Sequence, residues 1–166
     1  MKIGDVIAFP GNGLIFKVLS RILWLFNRWW DRKHWHLAIA WESAESGWWV
    51  MEADAKGVQI NFKPDEVLNK CKILSFLKKV PGKKKRKQFK DSHLGLSYDA
   101  AVYFLTMIQY LVLHFFNRPL PRILDNRFTC WELAEEWCVF NGKPWTTWGR
   151  THKYPIITDA LQALGN

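Results

Sequence analysis

Three short apolar stretches follow one another with almost no chain between them: residues 35–41 (WHLAIAW), 48–53 (WWVMEA) and 58–62 (VQINF), the last alternating apolar and polar with period two. Successive side chains on a strand point to opposite faces, so runs of this kind form strands rather than amphipathic helices. The connections Glu42-Ser-Ala-Glu-Ser-Gly47 and Ala55-Lys-Gly57 are too short for the crossover of about a dozen residues that parallel neighbours require. The expectation is an antiparallel meander. Residues 3–9 (IGDVIAF) add an edge or entry strand, broken by Pro10-Gly-Asn-Gly, and residues 72–80 add a fourth meander strand.

Helical spacing appears in three other places. Residues 14–30 carry an apolar stripe of Leu14, Ile15, Val18, Leu19, Ile22, Leu23, Phe26 and Trp30, with Lys17, Arg21 and Arg28 grouped opposite. A surface helix usually buries such a stripe in its own core; the rival reading is a helix lying in a membrane interface, which Trp24, Trp29 and Trp30 would suit. Residues 100–116 are apolar but interrupted by Thr106, Gln109 and His114. They are slightly short for a membrane span, so a buried domain helix is expected, with membrane association as the alternative. Residues 129–140 (TCWELAEEWCVF) form the last helix, stopped by Asn141-Gly142. The fold class is therefore α+β, and 166 residues, of which 49% are hydrophobic, suit one domain over 1–166 with a core of its own.

The net charge is +9, and much of the excess lies in 78–90 (KKVPGKKKRKQFK), with seven Lys and one Arg. The plain reading is a solvated basic loop; the functional reading is a patch, centred on Lys83–Lys87, for acidic lipid, cell-wall polymer or nucleic acid. Phe89 is its one aromatic residue, so base stacking has little support and no specific nucleic acid is expected. Three cysteines, Cys71, Cys130 and Cys138, cannot all pair within one chain and show no zinc-type spacing. The start, Met1-Lys-Ile-Gly-Asp5, turns polar too early for a secretory signal. A reducing, cytoplasmic setting is expected, with peripheral membrane association open.

The chemistry-bearing residues centre on Cys130. Thr129 and Glu132 make a T-x-x-E capping box that sets Cys130 at the first helical position, where backbone N–H groups and the helix dipole favour a thiolate. The competing reading is a buried small hydrophobe. A nucleophilic thiol needs a base, and the base needs an orienting group. His36 heads the strand HLAIA, and His34 shares its face. Glu52, in the apolar context WWVMEA, lies within reach of His36 if the two strands form a hairpin, with Asp54 as the fallback; a solvated strand-end carboxylate is the plain alternative. Cys71 and Cys138 have no comparable activation.

The order IGDVIAF, HLAIAW, VMEADAKGV, GLSYD and FTCWELAEEW resembles the circularly permuted NlpC-like, papain-fold cysteine hydrolases of the YiiX/YaeF type. The resemblance runs from about Ile3 to Phe140. It implies a small antiparallel sheet or half-barrel packed against helices, with the nucleophile at a helix N-terminus. It implies His36, rather than His34, as the family histidine, Glu52 as the carboxylate and Cys130 as the nucleophile. Trp131 stands where the family has a small serine-like residue, beside the substrate channel, and Tyr98 of the G-x-x-Y-D element lines the site. The activity implied is cleavage of a peptide or isopeptide amide, peptidoglycan-derived in the family pattern, through an acyl-enzyme, with no cofactor and no metal. The related lecithin–retinol acyltransferase group has N-C-E-H-F around its cysteine where this chain has T-C-W-E-L, which makes a lipid acyl ester the secondary substrate. A non-catalytic membrane- or wall-binding module is the third reading.

Overall fold

In the computed structural model the described residues are 1–11, 33–75, 77–98 and 127–143, together with positions 17, 18 and 21. Four strands follow each other along the chain: β1 (Val6–Pro10), β2 (His34–Ala44), β3 (Gly47–Asp54) and β4 (Gly57–Pro64). A short helix α1 (Asp65–Leu68) leads to β5 (Lys72–Leu74), and the helix α2 (Lys83–His93) precedes the two-residue strand β6 (Ser97–Tyr98). Strand β7 (Arg127–Phe128) runs directly into helix α3 (Cys130–Phe140). The architecture is α+β. The main sheet is wholly antiparallel with order β4-β3-β2-β1-β5, and β6 and β7 form a separate parallel pair.

The meander holds from β1 to β4 and then departs from expectation. Strand β5 pairs with β1, not β4, so β1 is an interior strand rather than an edge. Its apolar run suits that place: Val6, Ile7 and Ala8 are fully buried, as a strand covered on both faces requires. Strand β5 stops at Leu74 instead of reaching residue 80. The basic segment is also different from the expected loop, because eight of its residues, Lys83–Lys90, are helical. Lysine, arginine and glutamine are good helix formers, and Phe89 buries itself against Trp137 with ring centroids 4.9 Å apart, which gives that helix an anchor. The expected helices over 14–30 and 100–116 lie outside the described residues, apart from positions 17, 18 and 21. Among the described residues no helix is long and apolar enough to cross a membrane.

Alternation along the strands divides the core in two. Leu37, Ile39, Met51, Ala53 and Val58 face α3, while Ile7, Phe9, Ala38, Ala40 and Val50 form a second cluster with Leu68 of α1 on the other face. Helix α3 is fixed on the sheet by its two buried tryptophans. The Trp137 indole donates to the Gly4 carbonyl at 2.9 Å, and the Trp131 indole donates to the Trp35 carbonyl at 3.2 Å. Each such bond contributes about 1 kcal/mol net. Burying each ring contributes up to roughly 4–6 kcal/mol, so packing supplies the adhesion and the bonds set the register.

The β3–β4 turn is held from outside by the segment between α2 and β6. Val58 N–H donates to the Leu96 carbonyl at 2.8 Å, and Gly95 N–H donates to the Val58 carbonyl at 2.9 Å. Gly57 has φ +102°, and a Cβ there would stand 2.5 Å from the Leu96 oxygen. Gly95 also has positive φ, +85°, but open space around it. Gly57→Ala should therefore cost more than about 2 kcal/mol in urea unfolding and Gly95→Ala about 1 kcal/mol. Equal losses would contradict this close approach.

Candidate active site

Helix α3 starts where it does because its cap is complete. Thr129 Oγ1 accepts from the Glu132 N–H at 3.2 Å, and Glu132 Oε2 accepts from the Thr129 N–H at 3.0 Å. This reciprocal box places Cys130 in the first turn. The β6–β7 pairing sets Tyr98 opposite Phe128, two residues ahead of Cys130. On the other side, the Trp131 bond to the Trp35 carbonyl and the edge-to-face contact of those two rings, centroids 6.3 Å apart, bring residues 130–131 against residues 35–36.

The hairpin register supplies the next pair. Glu52 lies opposite Ala38, so it is the diagonal neighbour of His36 on the same face, within reach of long side chains. Glu52 Oε2 meets His36 Nε2 at 2.7 Å. The charge and hydrogen-bonding capacity of Cys130 act on the same imidazole, whose Nε2 is engaged by Glu52. His36 thus stands between thiol and carboxylate. Glu52 reaches His36 and not His34, whose backbone pairs with Pro10 at the head of β2. Asp54 is occupied elsewhere: its Oδ1 accepts from the Lys56 N–H at 2.8 Å and from the Gln59 amide at 3.1 Å, building the β3–β4 turn.

Two further residues complete the cluster. Glu52 Oε1 accepts from the Asn61 amide at 2.9 Å and from Lys63 Nζ at 2.7 Å. Asn61 and Lys63 alternate with Ile60 and Phe62 on β4, and Gln59 opposes Glu52. Period two in the sequence marks this polar face, but which of its members meets Glu52 depends on a register that one strand alone does not contain.

The electrostatics follow from burial and partners. Burial alone would lower the His36 pKa, but the Cys130 charge and hydrogen bond, followed by those of Glu52, outweigh it and raise the value from 6.5 to about 10. For Glu52, only 2% exposed, desolvation would raise the pKa. The His36 hydrogen bond and charge, then the bonds from Lys63 and Asn61, instead lower it from 4.5 to about 2. The other thiols are held protonated: burial pushes Cys71 up to about 11 against the pull of Lys63, and burial together with Glu135 pushes Cys138 well above its ordinary value. Cys130 itself is 3% exposed, whereas 30% of the His36 side chain is accessible.

The two residues expected to contact substrate fare differently. Tyr98 is half-buried and packs at the border of the α3-facing core, and its strand pairing with Phe128 sets it near Cys130. Trp131 is fully buried. The residue after Cys130 lies about 100° further around the helix, and here that turn directs the ring into the core against Trp35. Among the described residues no group of three or more His, Cys, Asp or Glu side chains is arranged to hold a metal ion.

The two pKa shifts give stability a pH window. A depressed carboxylate stabilises fully above its ordinary 4.5 and loses that contribution as pH falls toward about 2. A raised imidazole stabilises fully below 6.5 and loses its contribution as pH rises toward about 10. Melting temperature followed across pH should thus be highest between about 4.5 and 6.5. Glu52→Gln should flatten the acid limb and bring the alkaline loss to lower pH; superimposable profiles would contradict the coupling. No protein-family model and no curated protein sequence matches the chain, and the site is characterised by its geometry.

Proposed function

We propose that this protein is a cysteine hydrolase that cleaves an amide through an acyl-enzyme, with Cys130 as nucleophile, His36 as general acid and base and Glu52 as the orienting carboxylate. The observation that carries the proposal is the position of His36, bonded through Nε2 to buried Glu52 and coupled to the Cys130 thiol at the head of α3. The resemblance in motif order to permuted NlpC-like enzymes supports the same roles. It also supports a permuted papain-like arrangement of the sheet and helix, and a peptide or isopeptide substrate, peptidoglycan-derived.

The chemistry follows from the charge distribution. With Glu52 ionised and His36 protonated, the imidazolium is the counterion of a Cys130 thiolate, and the sulfur lone pair attacks the amide carbonyl carbon. The negative charge that develops on oxygen needs a donor. The Cys130 N–H lies in the first helical turn, where no helix carbonyl accepts from it, and it supplies one such donor. His36 Nδ1–H then passes its proton to the leaving nitrogen as the C–N bond breaks, leaving a thioester. Neutral His36 next takes a proton from water, whose oxygen attacks the thioester carbon; sulfur departs as thiolate and the imidazolium is restored. Glu52 keeps its proton-free state throughout, fixing the ring so that Nδ1 faces sulfur.

The test combines reactivity with turnover. At pH 7, Cys71 with a pKa of about 11 has roughly one thiolate in ten thousand molecules, so iodoacetamide should label Cys130 well before Cys71 or Cys138, and His36→Ala should slow that labelling. With muropeptides and activated acyl esters as substrates, Cys130→Ala should abolish turnover and His36→Ala should lower kcat by about 10²–10⁴-fold. Mass spectrometry of the wild type should find the acyl group on Cys130. Turnover retained by Cys130→Ala would overturn the proposal.

A further inference from the structure

The basic segment that the catalytic reading does not use has a specific shape and place. Eight of the chain's 24 Lys and Arg residues lie in 78–90, which contains no Asp or Glu; subtracting them leaves 16 against 15 acidic residues. The net charge of the chain is therefore almost entirely the charge of this one segment. It folds as α2, whose inward side is accounted for: Phe89 is buried, Arg86 donates to the Trp41 carbonyl at 3.0 Å, Lys85 lies over the Phe140 ring at 5.0 Å, and His93 meets Glu136 at 2.8 Å. Its outward side carries Lys83, Lys84 and Lys87 with Gln88, Asp91 and Ser92, and is preceded by Lys78 and Lys79; these five lysines are exposed and without an ion-pair partner among the described residues.

Two features say what this face fits. The first turn of α2 has no acidic residue, and three lysines crowd there instead, at the positive end of the helix dipole where cations are least favoured. An anionic surface relieves that crowding. Exposed aliphatic side chains also stand at either end of the helix, Val80 at 50% and Leu94 at 47%, while the one aromatic ring and the one arginine face inward. Sequence-tolerant nucleic-acid binding uses exposed rings and arginine planes, and neither is offered here. Lysine point charges flanked by aliphatic groups instead match a lipid headgroup layer over its acyl boundary.

We infer that α2 is a docking face for an anionic phospholipid surface, with Lys78, Lys79, Lys83, Lys84 and Lys87 on the headgroups and Val80 and Leu94 at the acyl boundary. The inference does not depend on the catalytic reading, and its readout is binding rather than turnover.

Co-sedimentation with phosphatidylglycerol–phosphatidylcholine vesicles tests it, with pure phosphatidylcholine vesicles as the neutral reference. Each lysine near an anionic leaflet contributes about fivefold in partitioning. The triple variant Lys83→Gln, Lys84→Gln, Lys87→Gln should therefore lose about a hundredfold at about 0.1 M salt. The triple variant Lys56→Gln, Lys70→Gln, Lys72→Gln removes the same charge from exposed lysines elsewhere and should lose less than about fivefold. Val80→Ser with Leu94→Ser should remove the fraction that stays bound at about 1 M salt, where charges are screened beyond about 3 Å. Far-UV circular dichroism confirms that each variant is folded. Equal losses in the two lysine triples, equal binding to neutral vesicles, or tighter α2-dependent binding to single-stranded DNA or a soluble wall polymer would each overturn it.

Discussion

A carboxylate buried in the middle of a sheet constrains everything around it. Glu52 is almost wholly removed from water yet ionised, and an unpaired charge in that position would cost several kcal/mol. Its two oxygens divide the compensation: Oε2 takes the imidazole of His36 on β2, and Oε1 takes Asn61 and Lys63 on β4. These three contacts reach across both neighbours of β3. A slip of one residue in either pairing would invert the facing of side chains and strand the charge, so the cluster at the candidate site also specifies the register of the sheet.

The thiol arrives from the other end of the chain. Its position depends on the Thr129–Glu132 box, which decides where α3 begins, and on Trp131 and Trp137, which decide where α3 lies on the sheet. Trp131 connects the two halves most directly, since its indole bonds the carbonyl of the residue before His36 while its own predecessor is the cysteine. The imidazole is thus located by a sheet register and the sulfur by a helix cap and a ring–carbonyl contact.

Local rules made part of this legible from the sequence. Short apolar runs with short connections located β2, β3 and β4, the last also by its period-two alternation, and the T-x-x-E spacing located the start of α3. The pairing of His36 with Glu52 followed from a hairpin whose turn residues were visible. Other features are properties of the assembled fold. Strand β5 returning to β1 is a long-range choice, made where Ile73 and Leu74 meet Ile7 and Val6. Helix α2 forms because Phe89 finds Trp137, a residue 48 positions later. Asn61 and Lys63 were visible as polar residues on a strand, but their partner was not, because register is a relation between strands. The burial of Trp131 against Trp35 is likewise a property of the assembled core, since a ring of that size buries itself where the core has room.

The central claim is that His36 is an imidazolium held between the Cys130 sulfur and the Glu52 carboxylate. Nitrogen-15 NMR of the histidine rings reads this directly. At about pH 8, well above the ordinary histidine value of about 6.5, the account predicts that both ring nitrogens of His36 are protonated, and that Cys130→Ala lowers the titration midpoint from its raised value of about 10. A neutral His36 ring at that pH, titrating near 6.5 and indifferent to loss of the thiol, would contradict it.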